Sequence, residues 1–86
     1  MAGVDPVPSG PRSPAARLDL RGTPCPLNYV RSRLALEKLP AGAWLQVDLD
    51  AGEPEQMVAE GLRGEGHGVS SEPLTPEHVR LHIRRG

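Results

Sequence analysis

The single cysteine of the chain, Cys25, is the residue best suited to covalent chemistry. It lies between Pro24 and Pro26, where an alternating segment gives way to a run of good helix formers. Free backbone N–H groups and the macrodipole at a helix N-terminus favour an anion, so a thiol placed there is better populated as thiolate, the nucleophilic form. The prolines stiffen the loop and remove one amide, which holds the sulfur on a short turn. Arg21 and Arg31 are near enough in sequence to add positive potential. A buried structural cysteine is the competing possibility, and on residue types alone the two balance.

A nucleophilic hydrolase would also need a positioned base. The three histidines, His67, His78 and His82, fall in later segments, and nothing in the sequence brings one to Cys25. A thiolate that only accepts and passes on a sulfur atom needs less: exposure and a protein partner. His78 and His82 have the spacing of a helical metal pair, but their segment alternates like a strand, which sets them roughly 13 Å apart, too far for one ion. Gly64-Glu65-Gly66-His67-Gly68 follows a helix and opens a strand, the reverse of a phosphate-binding loop. Asp48, Asp50, Glu53 and Glu55 could hold a divalent cation, but a solvated acidic edge is the better account. No metal or other cofactor is expected.

Composition narrows the field further. The chain has 86 residues, with 10 basic and 11 acidic side chains and a net charge of −1. That balance argues against a protein that coats nucleic acid. Phe is absent, and Tyr29 and Trp44 are the only aromatic residues, so a stacking platform for single-stranded bases is not expected either. One cysteine forms no internal disulfide and cannot supply a multi-cysteine zinc site. There is no apolar run of membrane-helix length and no signal-peptide pattern, which predicts a cytoplasmic protein with no membrane partner.

The elements that must position Cys25 can be read from hydrophobic periodicity. Residues 1–14 hold Pro6, Pro8, Pro11 and Pro14 with few apolar side chains, and read as a flexible tail ahead of a domain over 15–86. Residues 16–21 alternate apolar and charged, a first strand. Residues 26–39 read as a helix with Pro26 at its start and Pro40-Ala41-Gly42 after its end. It carries two apolar lines, Leu27/Val30/Leu34 and Tyr29/Leu36/Leu39, and periodicity does not say which one faces the sheet. Residues 44–50 alternate again. Glu53-Pro54-Glu55 opens a second helix whose apolar set is Met57, Val58, Gly61 and Leu62. Residues 69–72 form a weak strand, and residues 78–84 a strong one. The order is β-α-β-α-β-β. Each clear strand has one wet face, so both helices cover the other face of a four-stranded mixed sheet, giving a two-layer α/β sandwich. Asp48 and Asp50 on the second strand, against Arg80 and Arg84 on the last, predict that these two strands are neighbours.

At Arg21-Gly22-Thr23-Pro24-Cys25-Pro26 the chain resembles the TusA (SirA-like) sulfur-carrier family. The resemblance runs over about residues 16–85. It takes in the Leu-Asp-x-Arg-Gly approach to the Cys-Pro turn, Pro-x-Gly at 40–42, Asp-x-Gly-Glu-Pro at 50–54 and Glu-Gly-His at 65–67. It implies the same element order, Cys25 as a persulfide-bearing residue, and Gly22, Pro24, Pro26 and Asn28 as the supporting turn. It further implies a cysteine desulfurase or rhodanese-like protein as sulfur donor. The implied acceptor is a protein of tRNA thiolation, cofactor synthesis or sulfur metabolism. The family's Cys-Pro-x-Pro motif reads Cys25-Pro26-Leu27-Asn28 here, and Asn28 keeps a backbone N–H that a proline would lack. Two alternatives stand beside this one. A non-catalytic binding or regulatory module would use Arg80, Arg84, His78 and His82 on the wet sheet face. A redox sensor would need a partner thiol to resolve an oxidised Cys25.

Overall fold

Residues 14–86 are described by a computed structural model. The tail read over residues 1–14 falls, as far as residue 13, outside the described residues. The elements run β1 (Ala16–Asp19), α1 (Leu27–Glu37), β2 (Trp44–Asp50), α2 (Glu53–Gly64), β3 (Gly68–Pro73) and β4 (His78–Arg84). The first strand is shorter than its alternation predicts. Leu20 is still buried, but Arg21 and Gly22 already turn, with Gly22 at φ 78°. That is left-handed backbone, which glycine adopts without a steric penalty.

The four strands form one sheet in the order β1-β2-β4-β3. β1 and β2 are parallel, and α1 supplies the crossover that a parallel pair requires. β2 and β4 are antiparallel neighbours, as their charges predict. The register matches Asp48 with Arg80, while Asp50 faces His78 rather than an arginine, and Arg84 stands opposite Trp44. β3 pairs with β4 at the sheet edge, where Ser70, Ser71, Glu72 and Pro73 suit a strand open to water.

The dry face is built in cross-strand pairs. Leu45 faces Ile83, Val47 faces Leu81 and Leu49 faces Val79, all buried. Leu20 and Leu36, with Val58 and Leu62 of α2, close the core above them. Each such side chain contributes about 1.5–3 kcal/mol when fully buried. The two apolar lines of α1 separate here. Leu36 is buried and Tyr29 and Leu39 pack against the core, whereas Leu27, Val30 and Leu34 are exposed. The most deeply buried row of α1 is Asn28, Ser32 and Leu36, two of them polar. Hydrophobic periodicity places polar side chains outside, so neither Asn28 nor Ser32 reads as buried from the sequence. Ser32 is accommodated because its hydroxyl donates to the Asn28 carbonyl at 2.9 Å.

α1 and α2 meet along one seam. Cys25 lies against Met57, Tyr29 against Gly61, and Arg33 against Glu65. The contacts advance together along both segments, from just before α1 to just after α2, so the two helices run in the same direction.

Candidate functional site

Cys25 is exposed, on the turn between β1 and α1. Two attachments fix that turn to the end of β2. The Leu20 N–H donates to the Asp48 carbonyl at 2.9 Å, and the Gly22 N–H donates to Asp50 Oδ2 at 3.0 Å. The Thr23 N–H closes the turn on the Leu20 carbonyl at 3.0 Å. The Cys25–Pro26 peptide bond is cis. α1 begins directly after Pro26, its N-cap residue, and no side chain caps it from that position.

Among the described residues two groups lie within hydrogen-bonding range of the sulfur. Its S–H donates to Asn28 Oδ1 at 3.4 Å, and the Met57 thioether sulfur lies 3.6 Å away. Among the described residues no backbone N–H hydrogen-bonds the sulfur; in place of the N–H donors expected from a helix N-terminus, its contacts are an amide oxygen and a thioether, both acceptors. Asn28 Oδ1 also accepts the Tyr29 N–H at 2.7 Å. The Asn28 backbone N–H donates to the Pro24 carbonyl at 3.2 Å, a bond that a proline at this position would remove.

Arg21 is in the turn, but its guanidinium is committed elsewhere. Nε and Nη2 donate to both carboxylate oxygens of Asp19, at 2.8 and 2.7 Å. This fork holds the Asp19 carboxyl at about 2, below its ordinary 3.8, and raises Arg21 above the usual arginine range. Arg31 is exposed on α1 and forms no ion pair among the described residues.

The remaining candidates do not converge on the thiol. The His67 Nδ1 atom accepts the Gly86 N–H at 3.0 Å. His78 lies 3.6 Å from Asp50 Oδ1, and His82 lies 2.9 Å from Glu72 Oε1. No group of His, Cys, Asp and Glu among the described residues could hold a metal ion. On the wet sheet face Arg80 binds Asp48 through Nε at 2.9 Å, which raises the Arg80 guanidinium above its ordinary range. Three of the four basic candidates on that face, His78, Arg80 and His82, thus have carboxylate partners, and a basic docking face is correspondingly weakened. No helix among the described residues is long and apolar enough to cross a membrane.

Two residues of the site have roles that the sequence does not show. Asp50 reads as part of a solvated acidic edge, yet it pins the turn. The signal was the parallel register: Asp19 stands beside Asp48, so the next residues of each chain bring the glycine turn to Asp50. Met57 reads as core, yet it is 55% exposed beside the thiol. Its signal was the four-residue step back from Gly61, the residue that meets Tyr29.

The comparisons with known proteins agree with this architecture. A crystal structure of a SirA-like protein from Desulfitobacterium hafniense superposes with a TM-score of 0.74 at 24% identity, covering 83% of this chain and 97% of that one, which shows a shared fold. A protein of Archaeoglobus fulgidus, named as a sulfur carrier, is 35% identical over 54 residues. That match takes in 63% of this chain and 61% of the relative, so the chain spans under two thirds of the relative's length. The sequence model of sulfurtransferase TusA matches residues 16–85, from the first residue of β1 to just past the last of β4, and the chain belongs to the TusA family.

Proposed function

We propose that the chain is a sulfur carrier that holds sulfane sulfur as a persulfide on Cys25. The observation that carries this is an exposed thiol on a turn pinned to the sheet, with an amide oxygen and a thioether beside it and each histidine engaged elsewhere. Acyl transfer lacks a base there, whereas sulfur exchange does not need one once the thiolate forms.

The step balances without an oxidant. The Cys25 thiolate attacks the outer sulfur of a donor persulfide, a new Sγ–S bond forms as the donor's S–S bond breaks, and the donor leaves as a thiolate. Delivery to the acceptor reverses the roles. Arg21, through its fork to Asp19, orders the start of the turn, and Gly22 and Pro24 shape it. Pro26 directs the chain into α1, and Asn28 contacts the sulfur. Arg31 adds positive charge on the exposed side of α1, toward an approaching protein. The donor is a protein persulfide such as that of a cysteine desulfurase or rhodanese-like protein, and the acceptor is a second protein thiol.

Intact-mass spectrometry after incubation with a cysteine desulfurase and cysteine tests this. Wild type gains one sulfur atom that reductant removes, and Cys25→Ser gains none. Sulfur on the Ser variant, or no sulfur on wild type from either the desulfurase or glutathione persulfide, overturns it.

A further inference from the structure

We propose that Cys25 and Met57 together form a site for a soft monovalent metal ion, Cu(I), held between the thiolate and the thioether. The groups beside the sulfur are those that suit a cation. The Cys25 S–H points its proton at Asn28 Oδ1, 3.4 Å away, and at Met57 Sδ, 3.6 Å away. Both offer electron pairs. Among the described residues no backbone N–H reaches the sulfur, and the guanidinium of the same turn, Arg21, is forked onto Asp19. The position that the thiol proton holds is therefore bordered by lone pairs, and a soft cation can replace it.

The two sulfurs are brought together by the fold. Cys25 precedes α1 and Met57 lies on α2, 32 residues apart in the chain. The neighbouring contact of the same seam, Tyr29 against Gly61, is a close one and holds the helices in this alignment. Both sulfurs are also reachable, since Cys25 is exposed and Met57 is 55% exposed.

The donor set selects the ion. Thiolate and thioether are soft ligands and favour Cu(I) over harder divalent ions. Zn²⁺ would need further cysteines, histidines or carboxylates, and no three such groups come together among the described residues. With metal–sulfur bonds of about 2.3 Å, sulfurs 3.6 Å apart subtend an angle of about 100° at the ion. That angle belongs to a three- or four-coordinate ion rather than a linear one, so at least one position is left for a small-molecule thiol. Binding exchanges the ion for a proton. The Cys25 S–H bond breaks, the proton passes to solvent, and each sulfur donates an electron pair to the metal with no change of oxidation state.

The full chain is titrated with Cu(I) without oxygen, in competition with the coloured chelator bicinchoninate, while the Met57 methyl group is followed by NMR. Wild type should take one ion per chain from the chelator, and the Met57 methyl signal should shift. Cys25→Ser should take none. Met57→Leu, which nearly conserves volume, should bind about tenfold more weakly, because losing a ligand costs at least as much as losing a group that supports one. Matching amide spectra show that the variants are folded. Met57→Leu binding as tightly as wild type, or a Met57 methyl that does not move, overturns the proposal, since the thiol then binds alone. Zn²⁺ moving the same methyl at the same concentration overturns the assignment to a soft ion. The site needs both sulfurs but not the sulfur-carrier reading, so its failure leaves that reading to the intact-mass test of sulfur loading.

Discussion

Replacing Gly61 with alanine tests the seam between the helices directly. A Cβ at that position would lie 2.6 Å from Tyr29 Cε1 and 3.0 Å from Cδ1, closer than carbon atoms approach. Tyr29 is half-buried and packed against the core, so its ring cannot swing clear as a lysine tip would. Two effects oppose each other. Alanine in a helix interior is better than glycine by about 1 kcal/mol, and forcing an extra methyl into a packed contact costs about 1–3 kcal/mol. The expected sum for Gly61→Ala is a net loss of about 1 kcal/mol. In a Tyr29→Ala background the clash is absent, and the same substitution should stabilise by up to about 1 kcal/mol. Urea denaturation of the four proteins in this cycle measures the coupling, expected at roughly 1–3 kcal/mol, provided the m-values agree. A Gly61→Ala protein more stable than wild type, with a coupling under about 0.5 kcal/mol, would show that the helices do not meet at this rung.

Two further outcomes follow from the turn that carries Cys25. Asp50→Asn keeps the shape of the side chain but weakens a charge-assisted bond to the Gly22 N–H, so exchange of that amide should quicken by about tenfold and sulfur loading should slow while the sheet is intact; unchanged Gly22 exchange would remove Asp50 from the site. The Asp19 carboxyl, held at about 2 by the Arg21 fork, lies below its ordinary 3.8. Its contribution to stability is therefore fully present above that ordinary value and is lost as pH falls toward 2. Arg21→Ala should return the Asp19 midpoint toward 3.8 in a carbon-detected NMR titration, and a midpoint that stays near 2 would show that the fork is not its cause.

Alternation and breakers in the sequence were enough to determine the element order, the sandwich and the pairing of β2 with β4. β1, β2 and β4 show their burial in a period of two, and Asp48 needs the opposite charge that Arg80 supplies. The Pro24-Cys25-Pro26 turn was equally legible, because prolines and a glycine in such close order leave few conformations. What periodicity could not decide was which line of α1 faces inward, since Leu34 and Leu36 are equally apolar and only the packing of α1 over β2 and against α2 buries one of them. Tertiary structure also decided the surroundings of the thiol. Met57 and Asp50 reach it or its turn from 32 and 28 residues away in the chain, through a helix seam and a parallel register that no local pattern records. The burial of Asn28 is also a tertiary outcome: its two donors, the Tyr29 N–H and the Cys25 thiol, are local in the chain, but which face of α1 turns inward is set by its packing.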